Sequence, residues 1–300
     1  SPCLSLPSAT VVTSLVAGAI AGAIAKTVVA PLDRTKINFQ ISEVPYTWRG
    51  VARFIANTVR NEGTTALWRG NSATMARIIP YAAIQFTAHE QWKRALGVDT
   101  PENKHGFPWW HLLAGSLAGV TSQSATYPLD MARARMAVTS VRDYCSLRAV
   151  FVSVVRHEGV RTLYRGYLVT MMGVVPYAGI SFFTYDTFKH KYLAYFGEKQ
   201  SPLTNILFGG AAGALAQTAT YPLDVIRRRM QTSRRRPDGT YPHATVTSSW
   251  LTVWRTEGVR GFFKGLTMNW VKGPIAVGVS FATYDYIRGA LRDSLLAAQR

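Results

Sequence analysis

Three carboxylates sit in one local setting. Asp33, Asp130 and Asp224 each lie two residues after a proline (Pro31, Pro128, Pro222) and three before a cation (Lys36, Arg133, Arg227). A second trio, Glu90, Asp186 and Asp285, is followed three residues on by Lys93, Lys189 and Arg288. Opposite charges three apart on one helix stabilise it by only about 0.2–0.5 kcal/mol, which accounts poorly for a pattern written three times over. No nucleophile–base constellation, Walker motif or metal-ligand cluster accompanies them. Groups of this kind make and exchange ion pairs, and they argue against an enzyme.

A third set consists of lone cations in apolar surroundings. Arg77 stands three residues before Pro80, Gly173-Val174 precede Pro176, and Lys272 precedes Gly273-Pro274. Neither cation has an acid in its own half of its apolar stretch. An ionisable residue at membrane depth is costly and is read as functional by default. Arg grips phosphate through a bidentate fork and Lys binds it as a point charge, so the implied ligand is phosphorylated. Lys26, Arg34, Arg135, Arg228 and Arg229 read as a basic funnel that would steer a polyanion inward; snorkelling is the plain alternative for Lys26. Gly173-Val174 would leave a flat apolar slot, and Tyr177 would either stack on a ring or pack.

The elements that must position these groups repeat. Successive Pro-x-Asp prolines are 97 and 94 residues apart. Glu62-Gly63 through Trp68-Arg69-Gly70 recurs as Glu158-Gly159 through Tyr164-Arg165-Gly166 and Glu257-Gly258 through Phe263-Lys264-Gly265. A tandem repeat decides the architecture before anything else does. Six apolar stretches, roughly 12–38, 72–95, 109–137, 168–193, 203–231 and 268–292, approach or exceed the ~20 residues that span a bilayer core. The chain therefore divides into a tail at 1–11 and repeats at 12–97, 109–196 and 203–294. The odd stretches carry Gly18 and Gly22, Gly115 and Gly119, Gly209 and Gly213, a spacing that lets helices approach closely in lipid. Segments 41–70, 139–166 and 232–265 are rich in Arg and share one face by the positive-inside rule. Within them, patterns such as Val51-Ala52-Arg53-Phe54-Ile55 predict short amphipathic helices in the interface.

Composition fits this class. The formal charge is +18, which a nucleic-acid binder would share, although such a protein would not need six spans with paired carboxylates. Mean hydropathy is only +0.04, as expected where about half of each helix faces water. Cys3 and Cys145 make neither a disulfide framework nor a metal site. Residues 1–11 hold no Arg or Lys and resemble no transit peptide; the chain starts at Ser1, which leaves a targeting segment open.

With these repeats in register the sequence resembles the mitochondrial carrier family over essentially its whole length. The resemblance implies an all-α membrane protein of six transmembrane helices in three pseudo-threefold repeats, with short amphipathic helices on the matrix side. It implies a multi-pass protein of the mitochondrial inner membrane, with both termini facing the intermembrane space. It implies a matrix gate of Asp33–Arg133, Asp130–Arg227 and Asp224–Lys36, braced by Gln40 and Gln231, with Ala137 where a third brace would stand. It also implies a cytoplasmic gate pairing Glu90, Asp186 and Asp285 with Lys189, Arg288 and Lys93. Tyr185 and Tyr284 hold the bracing position there, and His89 stands in the first repeat. Arg77, Gly173-Val174 and Lys272 match the family's contact points, and Thr220 an adenine-lining position. Asn71–Met75, Pro80–Phe86, Arg133–Thr139 and Met268–Gly278 resemble its coenzyme A carriers. The implied cargo is coenzyme A exchanged for ADP, ATP or adenosine 3′,5′-bisphosphate, with cardiolipin as a lipid partner, no cofactor and a functional monomer. An ATP-Mg/phosphate-like or ADP/ATP-like exchanger is the alternative.

Overall fold

A computed structural model describes residues 6–97, 109–140, 143–197, 201–236 and 238–298. Cys3, Arg142 and most of the link at 97–108 lie outside the described residues. Among the described residues there are nine α-helices and no strand: α1 Leu6–Ile41, α2 Trp48–Glu62, α3 Asn71–Ala95, α4 Trp109–Val138, α5 Leu147–Glu158, α6 Tyr167–Phe196, α7 Pro202–Thr232, α8 Val246–Gly261 and α9 Leu266–Ala298. The even-numbered apolar stretches of the sequence are thus α3, α6 and α9, and the odd ones α1, α4 and α7.

The six long helices run 25 to 36 residues, or about 37–54 Å at 1.5 Å per residue. Each carries one interior proline, Pro31, Pro80, Pro128, Pro176, Pro222 or Pro274. Proline removes one ladder bond and bends a helix. Packing is closest between repeats, where α3 lies on α4, α6 on α7 and α9 on α1. Within a repeat the two long helices touch far less and splay apart.

Polarity is inverted relative to a water-soluble bundle. Asp130 and Arg135 are almost fully buried, while Ile79, Phe86, Val175 and Phe183 are about three-quarters exposed. An outer face of large apolar side chains around an ionic interior is what a lipid environment requires. Among the described residues Val160–Phe196 is the one stretch long and apolar enough, by length and composition, to cross a membrane.

The three short helices start on hydroxyl caps. Thr47, Ser146 and Thr245 accept from the backbone N–H three residues on, and Thr245 with Ser248 forms a capping box. Their apolar sides build small cores, Met131, Met136 and Tyr144 with Val150 and Val154 being one of them.

The glycine pairs do not serve the packing expected of them. A Cβ placed at Gly18, Gly22, Gly115, Gly119 or Gly209 would meet nothing within 4 Å, and one at Gly213 only the Tyr177 hydroxyl at 3.9 Å. Close helix approach occurs instead at Gly70, Gly166 and Gly265, where the even helices begin. At Gly166, with φ near 80°, a Cβ would lie 3.1 Å from the Arg227 carbonyl oxygen, so both backbone angle and space call for glycine.

Candidate functional site

The proline-bent ends of α1, α4 and α7 converge, and the three carboxylates meet cations of the neighbouring repeat. Arg133 donates to Asp33 at 2.5 Å, Lys36 to Asp224 at 2.8 Å, and Arg227 donates to Asp130. All three carboxylates are largely shielded from solvent, with side-chain exposures of 11, 18 and 2 %. Asp130 is the most heavily engaged, with Arg228 at 3.5 Å and Arg77 at 3.6 Å besides Arg227.

Two of these pairs share the same surroundings. Gln40 Nε2 donates to Asp224 at 3.1 Å and contacts the Tyr221 hydroxyl, which donates to the Lys264 carbonyl. Gln231 Nε2 donates to Asp130 at 2.9 Å and contacts the Tyr127 hydroxyl, which donates to the Arg165 carbonyl. The third pair lacks both groups, because Ala137 replaces the glutamine and Ala30 the tyrosine. A void of about 10 Å³ lies there, lined by both alanines, Asp33 and Gly70. Asp33 instead receives Lys272, whose Nζ donates to Oδ1 at 2.7 Å. A residue expected to meet cargo thus supplies the second bond of this pair.

Arg77 is also anchored. Its Nη2 donates to Gln123 Oε1 at 2.6 Å and its Nε to Thr126 at 3.3 Å, while its Cζ lies 4.9 Å from the Tyr81 ring centroid. The sequence argument that neither Arg77 nor Lys272 has an acidic neighbour considered each span alone. Asp130 and Asp33 reach them from other helices.

The expected funnel is corrected. Arg34, Arg135 and Arg229 are buried, at 5, 1 and 4 % exposure. Arg135 grips Glu158 with both Nη atoms and donates through Nε to the Gln231 carbonyl at 3.1 Å. Arg229 pairs with Glu257 and donates to the Gln40 carbonyl at 3.0 Å. Arg34 pairs with Glu62 and donates to the Ala137 carbonyl at 3.1 Å. Each therefore joins an odd helix to the glutamate of the Glu-Gly step in its own repeat, and to a carbonyl at the end of the next repeat's odd helix. Of the proposed funnel, Lys26 is the residue left exposed.

Arg69, Arg165 and Lys264 are committed as well. Arg69 donates to the Ser140 and Tyr144 carbonyls, Arg165 to that of His243, and Lys264 to that of Ser42, each in the next repeat in cyclic order. Around His243, burial and then the nearby Arg229, Arg165 and Arg236 push the imidazole pKa down to about 4.

Above the pinch the helices diverge around open space. Gly173, Val174, Tyr177 and Thr220 line one chamber of about 300 Å³, with Gln123 and Arg227. The Thr220 hydroxyl turns back to the Ala216 carbonyl at 2.9 Å, so it offers the chamber little beyond a wall. Tyr177 is 40 % exposed, and its face is available to a ligand.

At the wide end the second set of acids makes local bonds. Glu90 pairs with Arg94 at 3.4 Å and Asp186 approaches His190 at 3.3 Å, each one turn along its own helix. Asp285 and Arg288 are exposed, Tyr284 is half-buried, and the Tyr185 hydroxyl reaches Asn205 at 3.4 Å. Lys93 and Lys189 are engaged in further interactions. The narrow end is therefore tied across helices, while Glu90 and Asp186 of the wide end bond along their own helices.

A family model described as mitochondrial carrier protein matches residues 7–99, 104–196 and 198–295. The chain is 52 % identical over 290 residues to the mitochondrial coenzyme A transporter SLC25A42 of Homo sapiens, covering 94 % of this chain and 89 % of that protein. It is 52 % identical to the Danio rerio protein of the same name, over 94 and 88 % of the two chains. Solute carrier family 25 member 16 of Bos taurus is 38 % identical, over 92 and 87 %. The relatives are named as transporters and carriers, and the chain belongs to the mitochondrial carrier family.

Proposed function

We propose that this protein carries coenzyme A across the mitochondrial inner membrane in exchange for ADP, ATP or adenosine 3′,5′-bisphosphate. The observation that carries the reading is a chamber beside three inter-repeat ion pairs, with Gly173 and Val174 in its wall and with Arg77 and Lys272 on two of the paired carboxylates, Asp130 and Asp33. The names of the 52 % identical relatives support the cargo. The tied end is the matrix gate, and both termini face the intermembrane space.

The mechanism follows from which bonds are made. With Asp33, Asp130 and Asp224 paired, cargo enters from the cytoplasmic side. Its phosphates bind Lys26, Arg77 and Lys272, and its adenine lies against Gly173, Val174 and Tyr177. Phosphate oxygens compete with Asp33 for Lys272 and with Asp130 for Arg77, which weakens the closed end as the cargo seats. Pairing of Glu90 with Lys189, Asp186 with Arg288 and Asp285 with Lys93 then closes the other end. Two networks of similar free energy, one made while the other opens, are what alternating access requires. Cardiolipin bridging the N-termini of α3, α6 and α9 belongs to the same reading, its phosphates held by backbone N–H groups, since Arg69, Arg165 and Lys264 are occupied elsewhere.

Reconstituted proteoliposomes test the cargo. Vesicles loaded with ADP take up coenzyme A, and Arg77→Ala abolishes that uptake while the purified protein still melts cooperatively, at a temperature lowered by the lost contacts to Asp130 and Gln123. Uptake of ADP or ATP-Mg without coenzyme A would assign the protein to the nucleotide exchangers instead.

A further inference from the structure

A larger chamber lies on the far side of Tyr177. It measures about 1000 Å³ between α7 and α9, against about 300 Å³ for the chamber beside Gly173. Tyr177, Gln217 and Asp224 line both, so the two spaces share a wall and join at the ion pairs. Lys36 and Lys272 mark its narrow end, and Ile206, Leu207 and Val277 line its apolar length. Its breadth has a sequence cause. Both helices present glycine here, Gly209, Gly210 and Gly213 on one and Gly273 and Gly278 on the other, whereas α3, the counterpart of α9 in the first repeat, has none.

An adenine nucleotide does not need this volume. The smaller chamber already reaches the low end of the ~300–1,000 Å³ typical of ligand sites, and the larger one its top. The lining is also wrong for more phosphate, because beyond Lys36 and Lys272 no further cation faces it. It suits a long, mostly uncharged group joined to the phosphates and carrying a few amides. Two side-chain amides face such a group, Gln217 and Asn269, and neither has a hydrogen-bond partner among the described residues. Resting on the coenzyme A reading above, we propose that this chamber seats the pantetheine arm. The diphosphate lies at Lys272 and the adenine on the other face of Tyr177. The chamber is then the element that separates coenzyme A from shorter adenine nucleotides.

The test fills the chamber without disturbing the fold. A Cβ at Gly210 or Gly278 meets nothing within 4 Å, and neither residue has positive φ. Leucine is a better helix former than glycine. In Gly210→Leu and Gly278→Leu the KM for coenzyme A exchange rises tenfold or more, while that for ADP stays within threefold. ADP exchange thus reports folding and gating in the same sample. Asn269→Ala, which adds no bulk, gives a smaller rise for coenzyme A alone. Equal changes for both substrates, or none for either, overturn the seat. A wild-type protein that exchanges ADP and not coenzyme A overturns the cargo reading itself, and the seat with it.

Discussion

Lys272 donates to Asp33 at 2.7 Å, so in the proposed mechanism the first gate pair depends on a residue that the cargo also uses. Replacing it by glutamine removes one charge-assisted hydrogen bond, worth about 1.5–3 kcal/mol. Asp33 is not stranded, because Arg133 stays on its other oxygen at 2.5 Å, so the larger penalty of an orphaned buried charge does not apply. At roughly 2–4 °C per kcal/mol for chains of 150–250 residues, unliganded Lys272→Gln melts about 3–12 °C below wild type. Asp33→Asn removes the partner, and in that background Lys272→Gln costs little further. The cycle in detergent-solubilised protein therefore closes with a coupling inside the ~0.5–3 kcal/mol range of contacting residues. Coenzyme A also protects Lys272→Gln less than wild type. Additive losses, or full ligand protection in Lys272→Gln, would refute the idea that one lysine serves both partners.

Further outcomes follow from other contacts. Asp130→Arg and Arg227→Asp each abolish exchange, and the double swap restores only part of it in transport assays, because Arg77 and Arg228 also lie within 3.6 Å of Asp130. Arg135→Ala leaves the buried Glu158 with the weak Tyr241 hydroxyl bond at 3.4 Å in place of its cation, and loss of one partner of a buried pair costs about 3–5 kcal/mol; its melting temperature falls well below that of Arg234→Ala, whose pair with Asp143 is about half exposed. The pKa of His243 is depressed from 6.5 to about 4. The unfolded chain therefore gains a proton there before the folded one does, and stability drains as pH falls from about 6.5 to 4. His243→Asn removes that contribution, so its melting temperature declines less over this window.

The charged residues of the narrow end stood out because each carboxylate and cation recurs at fixed spacing three times over, which a local pair explains poorly; which cation each carboxylate meets is what the resemblance to the carrier family implies. The role of Arg135 and Arg229 was hidden for a related reason. They stand five residues past Asp130 and Asp224, where the first repeat has Asn38, so the series looks broken. Arg34 stands one turn before Asn38 and reaches the Ala137 carbonyl that Asn38 also bonds, at 3.1 and 2.8 Å. Two residues on one helix face divide the work of one arginine, and spacing alone does not show it. The glycine pairs misled because their spacing signals close packing without saying in which state it occurs. In this state they border empty space, room into which the wide end can draw together.

The buried arginines also set how the repeats can move. Arg34 of the first repeat holds the second at Ala137, Arg135 of the second holds the third at Gln231, and Arg229 of the third holds the first at Gln40. Mechanically this is a closed linkage of three bodies with no free end. A rotation begun in one repeat must be taken up by both others or break a joint, so the natural motion is one collective twist rather than three separate hinges. Cutting a single joint would leave an open chain whose end members turn independently, and transport would then lose its coordination before the protein loses its fold.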